Sequence, residues 1–381
     1  MRSKLLFFPI AIIALIWSVS AIAQTKKNII FQGKTDPKYN GERITMYNNQ
    51  TNETDTAFVA NGRFELHAAY TKPTRYMFAS GYEVRTRGGF SPYGILVEGP
   101  GKVKIDADMA SFQQAKVSNA PANEPLEWFS RRLTEMDKKM ESMLGKKYGK
   151  DDWMNNRSYA KEAWYQDAMN AIDSASDAHS GIVMEEVVQK YPNSLGTAFL
   201  MDRYSGTMPL DAQEKLYAKL SGKVKESEYG QSVSRMIEAR HYSSIGAVIK
   251  DFSLNNENGK QIDIASFRGK YVLIDFWASW CGPCVASFPR LKEVYEQYKS
   301  KGFEIVGIST DKSEKAWMDA VAKYANPWTQ VHDTQKIAEK YFAVKRLPTT
   351  FLVGPDGKVI AIDVHAEELG EKLKSILSAN K

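Results

Sequence analysis

Hydrophobic and polar positions change rhythm twice along the chain. Between residues 28 and 120, short stretches alternate apolar and polar side chains, over 29–33, 43–47, 56–59, 64–68, 75–78, 95–97 and 103–105, separated by turn signals such as Asn40-Gly41, Asn61-Gly62 and Gly88-Gly89. Strands and turns at this spacing predict a small antiparallel β-sandwich. From 121 to 242 the period lengthens. Leu126, Phe129, Leu133, Met136, Met140 and Met143 recur at intervals of three and four, with Arg131, Arg132, Lys138 and Lys139 between them. One apolar stripe on a charged helix is the expected result. The stripe covers too few heptads to specify a coiled coil over packing on a neighbouring helix, and a homodimer seam is the alternative use for it. Further helices are expected over 182–190, 197–204, 211–220 and 227–241.

Strands and helices alternate from 243 onward. A hairpin at 252–254 and 260–263 leads to the apolar run 271–277 and then to a helix ending near 300. A buried strand over 304–309, a helix over 313–324, a short strand over 329–332 and a helix over 335–342 follow. A hairpin at 350–353 and 359–363 and a last helix over 367–377 complete the chain. This alternation predicts a central sheet with helices on both faces. The expected organisation is therefore a leader at 1–23, a β-rich sandwich at 24–120, a helical region at 121–242 and an α/β domain at 243–381.

The leader combines Arg2 and Lys4, an apolar run from Leu5 to Trp17 and the small-residue site Ala21-Ile22-Ala23. These are the parts of a secretory signal peptide, which predicts a soluble protein in the periplasm or another exported compartment after cleavage. The run is also close to the length of a bilayer span, so an uncleaved N-terminal membrane anchor is the alternative. The formal charge of +6 includes two positive residues in this leader, and nothing in such a balance calls for nucleic acid.

Only two cysteines occur in 381 residues, and both lie in Trp280-Cys281-Gly282-Pro283-Cys284, directly after the apolar run. Thiols three positions apart at a helix start stand one turn from each other and can close and reopen as a disulfide without refolding. A structural staple is a poor explanation, because closing a loop of about four residues contributes only about 2 kcal/mol. A closed zinc site is no better. It needs four ligands, there is no second cysteine pair, and His67, His179, His241, His332 and His365 are scattered. Redox exchange is the expected chemistry, with no metal and no cofactor beyond the Cys281–Cys284 couple.

The stretch Asp275-Phe276-Trp277-Ala278-Ser279-Trp280-Cys281-Gly282-Pro283-Cys284 resembles the active-site strand and helix of thioredoxin, and Leu347-Pro348-Thr349-Thr350-Phe351 resembles the segment carrying that fold's cis-proline. About 25 residues between Thr310 and the helix before Pro348 resemble the insertion of exported thiol-disulfide oxidoreductases of the TlpA and ResA type, within the AhpC/TSA-redoxin superfamily. The resemblance covers 243–381 and implies a thioredoxin-like domain with an inserted helix and strand. For the region before it, the resemblance implies no function. One departure concerns the position where thioredoxins often keep a lysine near the aspartate. It corresponds to Gly307, so a buried Asp275 should be hard to ionise.

On this reading Cys281 is the nucleophile at the helix N-terminus and Cys284 the resolving thiol, with Asp275 as its proton acceptor. Trp280, Gly282, Pro283, Leu347 and Pro348 form the substrate-binding surface. Pro283 suits the first helical turn, and Gly282 leaves the approach to sulfur open. The expected partners are exported cysteine-containing proteins as substrates and, from the resemblance, a membrane dithiol as electron donor. A Gly-Pro pair between the cysteines resembles the reducing end of such couples, about −270 mV, over the oxidising end near −120 mV. The alternatives are a peroxiredoxin-like peroxidase, which would want a threonine before the reactive cysteine, and a ligand- or partner-binding protein whose redox domain only senses.

Overall fold

The computed structural model describes residues 28–88, 92–150 and 153–379. The expected leader and Gly89 lie outside them. Among the described residues no helix is long and apolar enough to cross a membrane. The chain divides at Pro121 into two compact units.

The first unit contains β1 (Ile29–Lys34), β2 (Arg43–Asn48), β3 (Glu53–Phe58), β4 (Arg63–Ala68), β5 (Thr74–Ser80), α1 (Gly81–Arg87), β6 (Tyr93–Val97), β7 (Gly101–Asp106) and β8 (Lys116–Ser118). Two four-stranded sheets form, in the orders β4-β1-β7-β8 and β3-β2-β5-β6. Period-two alternation turns Ile29, Phe31, Leu66 and Val103 of one sheet, and Ile44, Met46, Phe78 and Ile95 of the other, into one shared core. The expectation of a wholly antiparallel sandwich needs correction, because β1 runs parallel to β7. Alternation reports which face a residue occupies and is blind to strand direction. The long connection that a parallel pair requires is supplied here by all the strands between the two. Helix α1 was also not expected. Ser80 caps it, accepting from the Glu83 amide at 3.3 Å.

The second unit begins with helices α2 (Glu124–Tyr148), α3 (Ala163–Lys190), α4 (Leu195–Tyr204), α5 (Leu210–Lys219), α6 (Gly222–Glu226) and α7 (Glu228–Ser243). The stripe of α2 drifts at its end, so that Leu144 is buried and Met143 exposed. Helix α3 starts well before the expected residue 182, through a stretch rich in Ala and Ser whose apolar residues keep no clear period. Good helix formers together with packing on α2 account for it.

The α/β part of this unit contains β9 (Ser253–Asn255), β10 (Gln261–Asp263), β11 (Tyr271–Trp277), α8 (Gly282–Tyr298), β12 (Phe303–Ser309), α9 (Glu314–Tyr324), β13 (Thr329–His332), α10 (Ile337–Phe342), β14 (Thr349–Val353), β15 (Val359–Ile362) and α11 (Ala366–Ala379). Its five-stranded sheet has the order β13-β12-β11-β14-β15. Strands β11, β12 and β13 run parallel, while β14 and β15 are antiparallel to their neighbours. The central strand β11 is buried along its whole length. Leu273 and Trp277 pack with residues of α8, α9 and α11 on one face. Ile274 and Phe276 pack with α10 and Phe351 on the other. A strand covered on both sides reads as an unbroken apolar run, and Asp275 is its one interruption.

Candidate active site

At the end of β11 the chain turns through Ala278-Ser279-Trp280 into α8. Cys281 is the N-cap of that helix, with the Cys284 amide donating to its Sγ at 3.2 Å. The two cysteines are joined as a disulfide. Both are buried, at 4% and 1% exposure, so accessibility alone hardly separates them. Their positions do. Cys281 stands at the mouth of the helix, where unpaired amides gather, and Cys284 is one turn inside. Pro283 occupies the first turn, where its missing N–H costs nothing. A Cβ on Gly282 would meet nothing within 4 Å, so the glycine answers to no crowding within the protein and leaves the surface above the sulfurs clear.

The turn before the dithiol is held by a residue that sequence reasoning missed. Asp311, buried just past the end of β12, accepts from the Ser279 amide at 2.8 Å, from Ser279 Oγ at 2.7 Å and from Ser309 Oγ at 2.8 Å. Its backbone carbonyl meets His332 Nε2 at 2.7 Å, and Trp317 stacks on that imidazole. Strand ends at the carboxyl edge of a parallel sheet are where sites form, which is the one signal that could have drawn attention to Asp311.

Beneath the dithiol lies Asp275. It shares a sheet face with Leu273 and Trp277, which pack against Cys281, Cys284 and Phe288. Burial pushes its carboxyl up to about 7, with desolvation as the sole cause. The register places Gly307 directly beside it in β12 and Thr350 on the other side in β14. No cationic side chain occupies either neighbour.

Opposite the dithiol the Leu347–Pro348 peptide is cis, and Leu347 packs against the cores on both sheet faces. Trp280 is 71% exposed. A cavity of about 320 Å³ opens between Trp280 and Leu347, with Thr310, Glu339 and Lys345 also on its wall. The loop before Pro348 is tied to the helices. Lys345 Nζ donates to Asp202 Oδ1 of α4 at 2.9 Å and to Ser232 Oγ of α7 at 3.1 Å, and Ser232 Oγ donates to the same carboxylate oxygen at 2.6 Å. The expected residues therefore meet around one site: Cys281, Gly282, Pro283 and Cys284 at the helix start, Asp275 below, and Trp280, Leu347 and Pro348 at the rim.

A sheet of this order with a bridged dithiol capping its central helix defines a thioredoxin-like redox domain. The AhpC/TSA family profile matches residues 245–362. The thiol-disulfide oxidoreductase ResA of Bacillus subtilis is 36% identical over 119 residues, covering 31% of this chain and 66% of that protein. ResA of Bacillus thuringiensis is 35% identical over 133 residues, covering 35% of this chain and 76% of that protein. Among solved structures, a thioredoxin domain of a thiol-disulfide oxidoreductase from Bacteroides vulgatus is 31% identical with a TM-score of 0.34, covering 35% of this chain and 98% of its own. A thiol-disulfide oxidoreductase from Bacteroides fragilis is 38% identical with a TM-score of 0.32, covering 34% and 98%. The chain belongs to the ResA-type thioredoxin-like thiol-disulfide oxidoreductases, a membership carried by its last third.

Proposed function

We propose that the protein is an exported reductase of protein disulfides that works through Cys281 and Cys284. The Cys281 thiolate attacks one sulfur of a substrate disulfide, forming a mixed disulfide and releasing the other substrate sulfur as thiolate. Cys284 then gives its proton to the Asp275 carboxylate and attacks Cys281 Sγ. The Cys281–Cys284 disulfide forms, the second substrate thiolate leaves, and two electrons have passed from the dithiol to the substrate. A membrane dithiol restores the reduced state by the reverse exchange. Trp280 and Leu347 flank the bound segment, Pro348 packs beside the sulfurs, and Gly282-Pro283 leave them reachable.

The observation that carries this reading is the Cys284 amide donating to Cys281 Sγ at the start of α8. A capping amide and the helix dipole favour charge on that sulfur once it is reduced. Asp275 supports it, since an acid held near neutral pH on the sheet face that α8 covers is suited to taking up a proton.

Equilibration of the couple against a dithiothreitol or glutathione series should give a potential within a few tens of millivolts of about −270 mV, whereas a value near −120 mV would make the protein an oxidant. In parallel, Cys284→Ser should accumulate mixed disulfides with exported proteins on non-reducing gels, and Cys281→Ser should trap little. Adducts found mainly with Cys281→Ser would reverse the two roles.

A further inference from the structure

Asp275 is one member of a row that crosses three strands. The register sets it beside Gly307 of β12, and Gly307 beside Gln330 of β13. Residues paired in this way project to the same face of a sheet, here the face covered by α8. The middle member has no side chain. A Cβ on Gly307 would fall 2.5 Å from Gln330 Oε1 and 2.9 Å from its Nε2. The Gln330 amide therefore lies over the glycine, in the space between its own strand and Asp275.

Gln330 is 3% exposed, and a buried primary amide must place an acceptor and two donor hydrogens. Trp277 fixes its orientation, because the indole Nε1–H donates to Oε1 at 3.0 Å. That leaves Nε2, a buried donor that finds no acceptor among the described residues. Leaving such a donor unmatched costs about 1–3 kcal/mol. Asp275 is its complement, a buried carboxyl on which desolvation alone acts.

We propose that Gln330 is the positioning residue for Asp275, with its Nε2–H donating through one bridging water, over Gly307, to the carboxylate that takes the Cys284 proton. This rests on Asp275 being that proton acceptor. A water joining two buried polar groups is nearly as good as a direct hydrogen bond. A neutral donor stabilises the carboxylate without a counter-charge, so the acid stays in the range where it can both accept and return a proton.

Other groups face Asp275 from the elements packed on it. The core on this face holds Cys281 and Cys284 of α8, Trp317 and Ala320 of α9, and Leu369 and Leu373 of α11; the Trp317 ring stacks on His332 and its Nε1–H also lacks an acceptor among the described residues. Thr350 of β14 spends its hydroxyl on the Val364 carbonyl. His332 and Asp311 lie one row along and are engaged with each other and with Ser279 and Ser309. Of the unmatched donors on this face, Gln330 Nε2 is the one in the row that Asp275 begins.

The test follows the Asp275 carboxyl by carbon NMR in the oxidised full chain, together with the pH profile of mixed-disulfide resolution. In Gln330→Met the Asp275 midpoint should rise by about one pH unit, and the resolution profile should rise with it, while the first attack by Cys281 keeps its rate. An unmoved Asp275 midpoint overturns the role of Gln330. The unmutated protein supplies a check that does not depend on the variant folding. The Gln330 side-chain amide resonances should titrate with the same midpoint as Asp275, and amide resonances that stay constant through that midpoint overturn the proposal. If Asp275→Asn leaves resolution unaltered, the base assignment falls on that result alone, whatever the titrations show.

Discussion

Two buried aspartates lie around the same dithiol, Asp275 on the sheet floor and Asp311 beside the entry turn. Asp311 accepts three hydrogen bonds, two of them from Ser279, and its carboxylate is fully employed in holding that turn. Burial pushes the Asp275 carboxyl up to about 7. Low exposure is common to both, so burial by itself does not mark a reactive carboxylate. The difference lies in what surrounds each charge. A carboxylate that accepts several hydrogen bonds from its own turn is tied into the scaffold, whereas one whose main influence is desolvation is raised toward neutral pH and can exchange its proton there. Ser279 joins the two regions, because the turn it belongs to carries the chain from β11 to Cys281.

The largest test of this contrast is the removal of Asp311. Asp311→Ala leaves the Ser279 amide and hydroxyl and the Ser309 hydroxyl without their acceptor, and should cost about 3–5 kcal/mol in urea unfolding of the oxidised protein. A loss under about 1 kcal/mol would show the network to be incidental. Asp275→Asn should act in the opposite direction. With a folded value near 7 and an ordinary carboxyl value of 3.8, the native residue is neutral in both the folded and unfolded chain below about pH 4. Between about pH 4 and 7 the unfolded chain releases this proton while the folded chain retains it, so native stability falls, and above pH 7 the deficit is constant. Asparagine does not titrate. The stability of Asp275→Asn relative to the native protein should therefore climb by about 2–4 kcal/mol from pH 4 to pH 8, read from paired denaturant curves. A difference that is flat with pH would show that burial does not raise the Asp275 carboxyl.

This contrast was only half visible in the sequence. Asp275 stands out because it interrupts an apolar run, and the dithiol stands out because five residues contain every cysteine. Strand and helix positions in the α/β part follow from the same local periods. Asp311 and Gln330 have no comparable signature, since their roles depend on which strands lie side by side and on what a glycine leaves uncovered. The parallel pairing of β1 with β7 was hidden for the same reason, as alternation specifies a face and not a direction. The early start of α3 lacked an apolar stripe to announce it.

The helices add one element that no periodic pattern could have revealed. Lys345, two residues before Leu347, reaches back 143 positions to Asp202 and also bonds Ser232. Asp311 thus steadies one rim of the dithiol from within the α/β part, and the helical region steadies the other through Lys345. The second tie is the weaker, since the lysine side chain is 41% exposed and such pairs contribute under about 1 kcal/mol. Lys345→Met should leave unfolding and the redox potential unchanged while loosening the loop proposed to meet the substrate. A loosening of about 0.6 kcal/mol corresponds to about a threefold rise in KM for a disulfide-bonded peptide, with kcat unaltered. Asp202→Asn should give a similar KM, and the double variant no more than either alone, because both remove the same contact. Equal falls in kcat for these variants would mean that the helices reach the sulfurs themselves, and would make the two rims alike in kind.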